Sequence, residues 1–158
     1  MAGRSKVARP NGAGGLAERF GVLLEAALAD DAIVIHDLWV PGAQASIDHV
    51  VVASSGVWVV DSTWRKELRV DGGADSPPVE AIARHVEVVT SAIDGRAQEV
   101  PIRAALCFPH AHWDCVPRAF WIEDVLVTYP ADLVERVRAA GPLDEDTVGW
   151  IAARLALE

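Results

Sequence analysis

The stretch that decides the fold is Ile47 to Trp64, which reads IDHVVVASSGVWVVDSTW. Two runs rich in β-branched residues, 47–52 and 57–60, flank a Ser-Ser-Gly sequence that is typical of a tight turn. β-Branched residues favour strands, and a short turn between two such runs favours an antiparallel hairpin. We therefore predict two neighbouring antiparallel strands here.

Each predicted strand carries one acid at the end away from the turn, Asp48 in the first strand and Asp61 in the second. Side chains alternate between the faces of a sheet, so the register decides whether these acids meet. A two-residue loop such as Ser55-Gly56 pairs residue 54 with 57, 50 with 61 and 48 with 63. That register puts Asp48, Asp61 and Thr63 on one face, whereas a loop with an odd number of residues separates the two acids.

Carboxylates at the ends of apolar strands are costly to bury unless a cation or a hydrogen-bond donor meets them. A divalent cation held between Asp48 and Asp61 would satisfy that requirement. The alternative is that Asp61 caps a strand end and Asp48 accepts hydrogen bonds from the backbone or from an arginine. The hairpin alone leaves both interpretations open.

The composition describes one domain. A chain of 158 residues can bury roughly 70% of the surface that its unfolded form exposes. No apolar run approaches the ~18 residues of a membrane helix, and the basic N-terminus is followed by no apolar stretch, which argues against a secretory signal. We expect a flexible N-terminal tail over residues 1–13, a domain over 14–158, no membrane association and a cytoplasmic location, with which two cysteines are consistent.

The formal net charge of −9 opposes a broad nucleic-acid-binding surface, because phosphate contacts come from Lys and Arg. Binding to DNA would need a local basic patch. The candidates are Arg65, Lys66 and Arg69, just after the hairpin.

The remaining periodicities predict helices around this hairpin and further strands beside it. Helices are expected over 15–29, 79–93 and 130–140, with Pro130 as a first residue, and after a cap at Asp144; strands are expected over 32–40, 101–108 and 121–129. The first helix places six apolar residues at helical spacing: Leu16, Phe20, Leu23, Leu24, Ala27 and Leu28. Helices before, between and after the strands predict a three-layer α/β domain with a mixed sheet.

A second group of candidate ligands lies in the sequence CFPHAHWDC, which contains Cys107, His110, His112 and Cys115. Two thiols and two imidazoles within nine positions could hold Zn²⁺. Against this, Cys107 belongs to a predicted buried strand, and a one-residue gap between histidines is not a usual structural-zinc spacing. Packing is the favoured role of this segment.

Several segments together resemble the nuclease-related domain (NERD) of bacteria, especially its actinobacterial branch. They are GLAERF, VIHDLWVPGAQASIDHVVVASSGVWVVDS, PIRAALCF, VLVTYPADLVERV and GPLDEDTV, and the likeness runs from about Gly14 to the C-terminus. The resemblance implies the restriction-endonuclease-like fold, a three-layer domain with a central mixed β-sheet flanked by helices. The most specific part is IDHVVVASSGVWVVD.

The resemblance also implies an active site. By position, Glu18 matches the family's helical Glu, Asp48 its first strand acid and Asp61 its second. Asp48 and Asp61 would hold Mg²⁺ or Mn²⁺, which polarises the scissile phosphate, and Glu18 would position a water molecule. The Lys that the family places two residues after the second acid is Thr63 here, and a Gln on the following helix corresponds to His85.

These two departures put cleavage in doubt. Thr63 can form hydrogen bonds but brings no charge, and Arg65, about 13 Å from Asp61 along the strand, could stabilise charge without acting as a base. Lys66 needs a bulge to reach the same face. The resemblance thus implies a Mg²⁺-dependent nuclease-type domain acting on DNA, weakened or inactive; the alternative is a catalytically dead module that binds nucleic acid or a protein partner.

Overall fold

The computed structural model describes residues 13–39, 46–62, 79–93, 99–109 and 118–157. Within these residues the chain forms four helices and six strands. In chain order they are α1 (Ala13–Leu28), β1 (Ala32–Leu38), β2 (Ile47–Ala53), β3 (Gly56–Ser62), α2 (Val79–Ile93), β4 (Ile102–Cys107), β5 (Phe120–Ile122), β6 (Val125–Thr128), α3 (Pro130–Arg138) and α4 (Glu145–Ala156). Residues 1–12 lie outside this description, so the division into a tail and a domain stays a prediction.

The strands form one sheet in the order β1-β2-β3-β4-β6-β5. The pairs β1–β2, β2–β3 and β5–β6 are antiparallel, whereas β3–β4 and β4–β6 are parallel. The parallel β3–β4 pair requires a crossover, and α2 lies in that connection. The mixed sheet confirms the predicted α/β class.

Helices cover both faces of the sheet. Ile82 of α2 and Ile151 of α4 belong to the core on one face, and Phe20 of α1 and Leu133 of α3 belong to the core on the other. Consecutive residues of the central strand β4 alternate between these two cores, which explains its continuous apolar run. The predicted three-layer arrangement is therefore confirmed.

The register of the central hairpin differs from the prediction. The loop is Ser54-Ser55, so that Ala53 pairs with Gly56 and Val50 with Val59, instead of 54 with 57 and 50 with 61. Gly56 joins the strand because it adopts φ 137°, and the next amide, that of Val57, donates to the carbonyl of Pro101 at 2.8 Å. The loop still has an even number of residues, so the alternation of faces along both strands is unchanged.

The predicted strand over 121–129 is wrong as a single element. It is a hairpin of β5 and β6 with Glu123 and Asp124 in the turn. Glu123 takes a left-handed conformation, φ 53°, which a tight antiparallel turn demands. The two exposed acids break the apolar run where the chain reverses.

Two helix starts follow the sequence signals. Pro130 occupies the first turn of α3, and the side chain of Asp144 accepts a hydrogen bond from the amide of Thr147 at 2.7 Å. Helix α1 departs from prediction in one respect, since Leu23 and Ala27 are exposed whereas Phe20 and Leu24 are buried. Along the described parts of the chain, no helix combines the length and apolar composition that crossing a bilayer requires.

Candidate active site at the open end of the central hairpin

The end of the β2–β3 hairpin opposite its turn, here called the open end, carries both strand acids. Asp48 is the second residue of β2, and Asp61 is the next-to-last residue of β3. The antiparallel ladder ends where His49 pairs with Val60, one residue short of both acids, and continuing that register would place Asp48 beside Asp61. The two acids therefore lie at the same end of neighbouring strands, and strand alternation assigns them to one face.

Ser62 supplies hydrogen bonds to the first of these acids. Its backbone amide lies 3.4 Å and its hydroxyl 3.5 Å from Oδ2 of Asp48. Both distances are long, so each bond is weak, but the two donors converge on a single oxygen. They favour one orientation of the Asp48 carboxylate.

His85 brings α2 into the same site. Its Nδ1 lies 3.4 Å from Oδ2 of Asp61, and the two side chains are only 16% and 20% exposed. The interaction with Asp61 and the negative charges of Asp61 and Asp48 raise the pKa of His85 above its ordinary value, although burial acts in the opposite direction. Because 3.4 Å is long for a hydrogen bond, we regard the contact mainly as an electrostatic one. His85 thus responds to both carboxylates at once.

The donor set at the open end suits a hard divalent cation. Carboxylate oxygens are the ligands that Mg²⁺ prefers, and Mg²⁺ is often held by one or two carboxylates while water and phosphate oxygens complete its shell. Asp48 and Asp61 supply those two carboxylates. In the described part of the chain, no group of three or more His, Cys, Asp or Glu residues is arranged to hold a metal. Two carboxylates alone leave most coordination positions of such a cation to other ligands.

Among the described residues, Glu18 forms no hydrogen bond or ion pair with Asp48 or Asp61. It is exposed on α1, which packs on the face of the sheet opposite α2. Because α1 leads through a short turn into β1, the N-terminal part of α1 lies toward the end of the sheet where β1 ends and β2 begins. Glu18 is thus near the correct end of the sheet, but its catalytic role stays a prediction.

A partly buried series of three polar side chains links α1 to the strands beside Asp48. Nε2 of His36 lies 2.7 Å from a carboxylate oxygen of Glu25, and Nδ1 of His36 lies 2.9 Å from Nδ1 of His49. If His36 is neutral, it donates to Glu25 through Nε2 and accepts from His49 through Nδ1. A Cβ on Gly21 would come within 2.8 Å of the His36 ring, so the helix can approach this closely only with glycine there. These hydrogen bonds fix α1 against His49, the residue that follows Asp48.

The other predicted site residues lie outside the described residues. Thr63, Arg65, Lys66 and Arg69 belong to the segment 63–78, and the three partners of Cys107 in the zinc hypothesis belong to 110–117. Cys107 itself is fully buried, and its burial, with a smaller contribution from Asp132, raises the pKa of its thiol. A zinc ligand must be a thiolate, so the surroundings of Cys107 disfavour that role.

Sequence reasoning missed two parts of this site. Ser62 follows Asp61 directly, so strand alternation assigns it to the opposite face, and only the geometry of the strand end turns its donors toward Asp48. The His36–His49 contact had a usable signal, because the two histidines occupy paired positions on β1 and β2. Finding it required the register of that strand pair, which the sequence did not supply.

Comparison with known proteins gives one family. Residues 12–109, more than half of the chain, match the family model of the nuclease-related domain, NERD. This range contains the first helix, the hairpin with both acids, α2 with His85, and β4. The resemblance seen in residues 110–158 lies beyond the matched range. No curated protein and no solved structure matches the chain.

Proposed function

Because this chain belongs to the nuclease-related domain family, with its restriction-endonuclease-like architecture, we propose that the open end of its hairpin is a divalent-cation-dependent site for phosphodiester hydrolysis in DNA, with a low rate of cleavage. The observation that supports this most directly is the meeting of Asp48, Asp61 and His85 within a family match. Two carboxylates beside each other on strand ends would be unfavourable without a cation to offset their repulsion.

Each residue has a proposed task. Asp48 and Asp61 would hold Mg²⁺ or Mn²⁺, which would supply charge to stabilise the phosphate in the transition state. Ser62 orients Asp48 through its amide and hydroxyl, and His85 orients Asp61. Glu18, at the same end of the sheet, would position the attacking water.

The low rate follows from the residue two positions after Asp61. Thr63 stands where the family pattern has Lys, and a hydroxyl cannot offset negative charge developing on the phosphate. Loss of one preorganised electrostatic donor typically costs about 10²–10³ in rate. Arg65, Lys66 and Arg69 are the proposed phosphate contacts in an otherwise acidic chain.

Isothermal titration calorimetry with Mg²⁺ and with Mn²⁺ is the first test. We expect saturable binding to the native chain, strong weakening in Asp48→Asn and Asp61→Asn, and no change in Asp124→Asn, a matched substitution of an exposed aspartate. If no saturable binding occurs, or if Asp61→Asn binds as the native chain does, the proposal is wrong.

Cleavage is tested next with supercoiled plasmid and with single-stranded DNA in the presence of Mn²⁺. We expect slow cleavage by the native chain and about 10²–10³ faster cleavage by Thr63→Lys. Metal binding together with DNA binding, but without cleavage in either protein, would favour the alternative, a module that binds nucleic acid without turnover.

A further inference from the structure

Helix α1 is apolar on both of its sides, although this chain buries only one. Phe20, Leu24 and Leu28 pack into the sheet and are at most 1% exposed. The opposite side carries the outer stripe, which we define as Val22, Leu23, Ala26 and Ala27; all four residues are exposed, Val22 and Leu23 at 64% each. A surface helix ordinarily presents charged and polar residues on this side, and a helix that is apolar all round is ordinarily covered all round.

The ends of the outer stripe carry opposite charges. Arg19 precedes it by one turn and Asp30 follows it by about one turn, and both are exposed. Asp31, beside Asp30, already has a partner, because Arg138 of α3 lies 3.1 Å from its carboxylate. Among the described residues, neither Arg19 nor Asp30 forms an ion pair with another described side chain. The stripe is therefore apolar in the middle, positive at one end and negative at the other.

This arrangement is complementary to itself in the antiparallel direction. Suppose that two antiparallel copies of α1 cross midway between Leu24 and Glu25. A residue of one copy then lies level, along the helix axes, with the partner residue whose number adds to its own to give 49. Leu23 then faces the partner's Ala26, and Val22 lies level with the partner's Ala27, so that large residues meet small ones. At 1.5 Å rise per residue, Arg19 lies about 8 Å from the crossing point, and Asp30 lies at the other end of the stripe, in the turn that follows α1. Each Arg19 therefore comes to the same end of the contact as the partner's Asp30.

We infer that the outer stripe of α1 is a homodimer contact, in which α1 packs antiparallel against α1 of a second copy about a two-fold axis. A two-fold contact must be self-complementary, and both the side-chain sizes and the charges of the stripe satisfy that condition. An unrelated partner would need neither the large-to-small pairing nor opposite charges at the two ends of the stripe.

The other open edge in this region is less suited to pairing. Strand β1 lies at the edge of the sheet, but Asp37 adopts φ 49°, which interrupts the regular strand near its end. Such irregularities limit edge-to-edge pairing of strands. The helix, whose outer stripe is continuous over about one and a half turns, is the better contact. A single pair of helices buries a small area, so the dimer should be weak and dependent on concentration.

Sedimentation equilibrium across a range of protein concentrations tests the contact. We expect a monomer–dimer equilibrium for the native chain and a monomer for Leu23→Glu. Leu157→Glu is the matched control, because Leu157 is also exposed, at 82%, and lies beyond the end of α4. Circular dichroism on each variant verifies that the fold is retained.

Charge reversal then tests the antiparallel arrangement. Arg19→Glu alone and Asp30→Arg alone each turn two symmetry-related attractions into repulsions, and we expect each to raise the dimer dissociation constant about tenfold at low salt. The double variant Arg19→Glu/Asp30→Arg restores opposite charges and should return the constant close to its native value. A native chain that is monomeric throughout, equal weakening by Leu157→Glu, or a double variant weaker than either single variant would each overturn the inference. None of these outcomes depends on metal binding or cleavage, so the inference is independent of the proposed function.

Discussion

The two ends of the β2–β3 hairpin differ in how their polar groups are paired. At the turn end, the Ser55 hydroxyl donates to the carbonyl of Val137 at 2.8 Å and accepts from the indole N–H of Trp58 at 3.0 Å. The carbonyl of Ser54 accepts from the amide of Leu143 at 3.1 Å. These polar groups each have a specific partner, so the turn end holds α3 and the segment that leads into α4 to the sheet.

At the open end, two acids are placed together instead. The donors from Ser62 lie 3.4 and 3.5 Å from Asp48, and His85, whose pKa both acids raise, lies 3.4 Å from Asp61. Such a concentration of like charge is unfavourable for folding and suitable for binding a cation. The comparison teaches that one short hairpin can combine a stabilising end with an end reserved for chemistry.

The largest effect should come from removing Trp58 at the turn end. Trp58 is 1% exposed and packs in the core shared with α1 and α3, so Trp58→Ala should lower the free energy of unfolding by about 3–5 kcal/mol. Urea unfolding followed by circular dichroism measures this. Trp121→Ala, at a half-exposed tryptophan, should change it by less than about 1 kcal/mol. Equal losses in the two variants would contradict the proposed importance of the turn end.

A second test of the turn end uses one substitution at two glycines. A Cβ on Gly141 would overlap the backbone of Ser54 and Ser55, so Gly141→Ala should destabilise the fold by about 1–3 kcal/mol. A Cβ on Gly149, inside α4, would meet open space, so Gly149→Ala should stabilise by about 0.5–1 kcal/mol. Thermal unfolding compares the two, and effects of the same sign would show that the contact with the turn is not tight.

Substitutions at the open end should change the pKa of His85 more than the free energy of unfolding. Asp61→Asn should lower the pKa of His85 more than Asp48→Asn does, because Asp61 contributes both the closest contact and the larger charge effect. NMR titration of the His85 ring protons, assigned by their loss in His85→Gln, measures both pKa values. A larger decrease in Asp48→Asn would mean that His85 lies closer to Asp48 than described.

The smallest expected effect is the pH dependence of stability through His85. Its pKa is raised in the folded state, so protonation stabilises the fold; this contribution is fully present below the unfolded value of about 6.5 and is lost as the pH rises through the folded value. The difference in unfolding free energy between the native chain and His85→Gln should therefore shrink with rising pH. Urea unfolding from about pH 5.5 to about pH 9, a range that includes the unfolded pKa, checks the sign. A difference that grows with pH would contradict the described surroundings of His85.

Much of the fold could be read from local patterns. The β-branched runs around Ser54-Ser55 predicted the hairpin, and Pro130 and Asp144 predicted two helix starts, because turns and caps depend on neighbouring residues. The strand over 121–129 was wrong because a two-residue turn at Glu123 and Asp124 leaves little trace in a short apolar run. The register was wrong because Pro101, 45 positions after Gly56, decides where β3 begins.

Part of the candidate site could likewise be predicted from local patterns, and part could not. The sequence indicated Asp48 and Asp61 through strand alternation, which needs only an even loop, and the family resemblance added Glu18 and His85. It could not place Ser62 beside Asp48, since that contact depends on the geometry of the strand end. It also could not assign α1 and α2 to opposite faces of the sheet, since that depends on packing between residues distant in the chain.

The sequence by itself determined that this is an α/β domain with two acids at one end of a central hairpin, because alternation and turn chemistry act over a few residues. Only the tertiary structure decided which groups surround those acids and which side of α1 stays exposed. Both outcomes depend on contacts between residues distant in the chain, and a single sequence does not encode these in any local pattern.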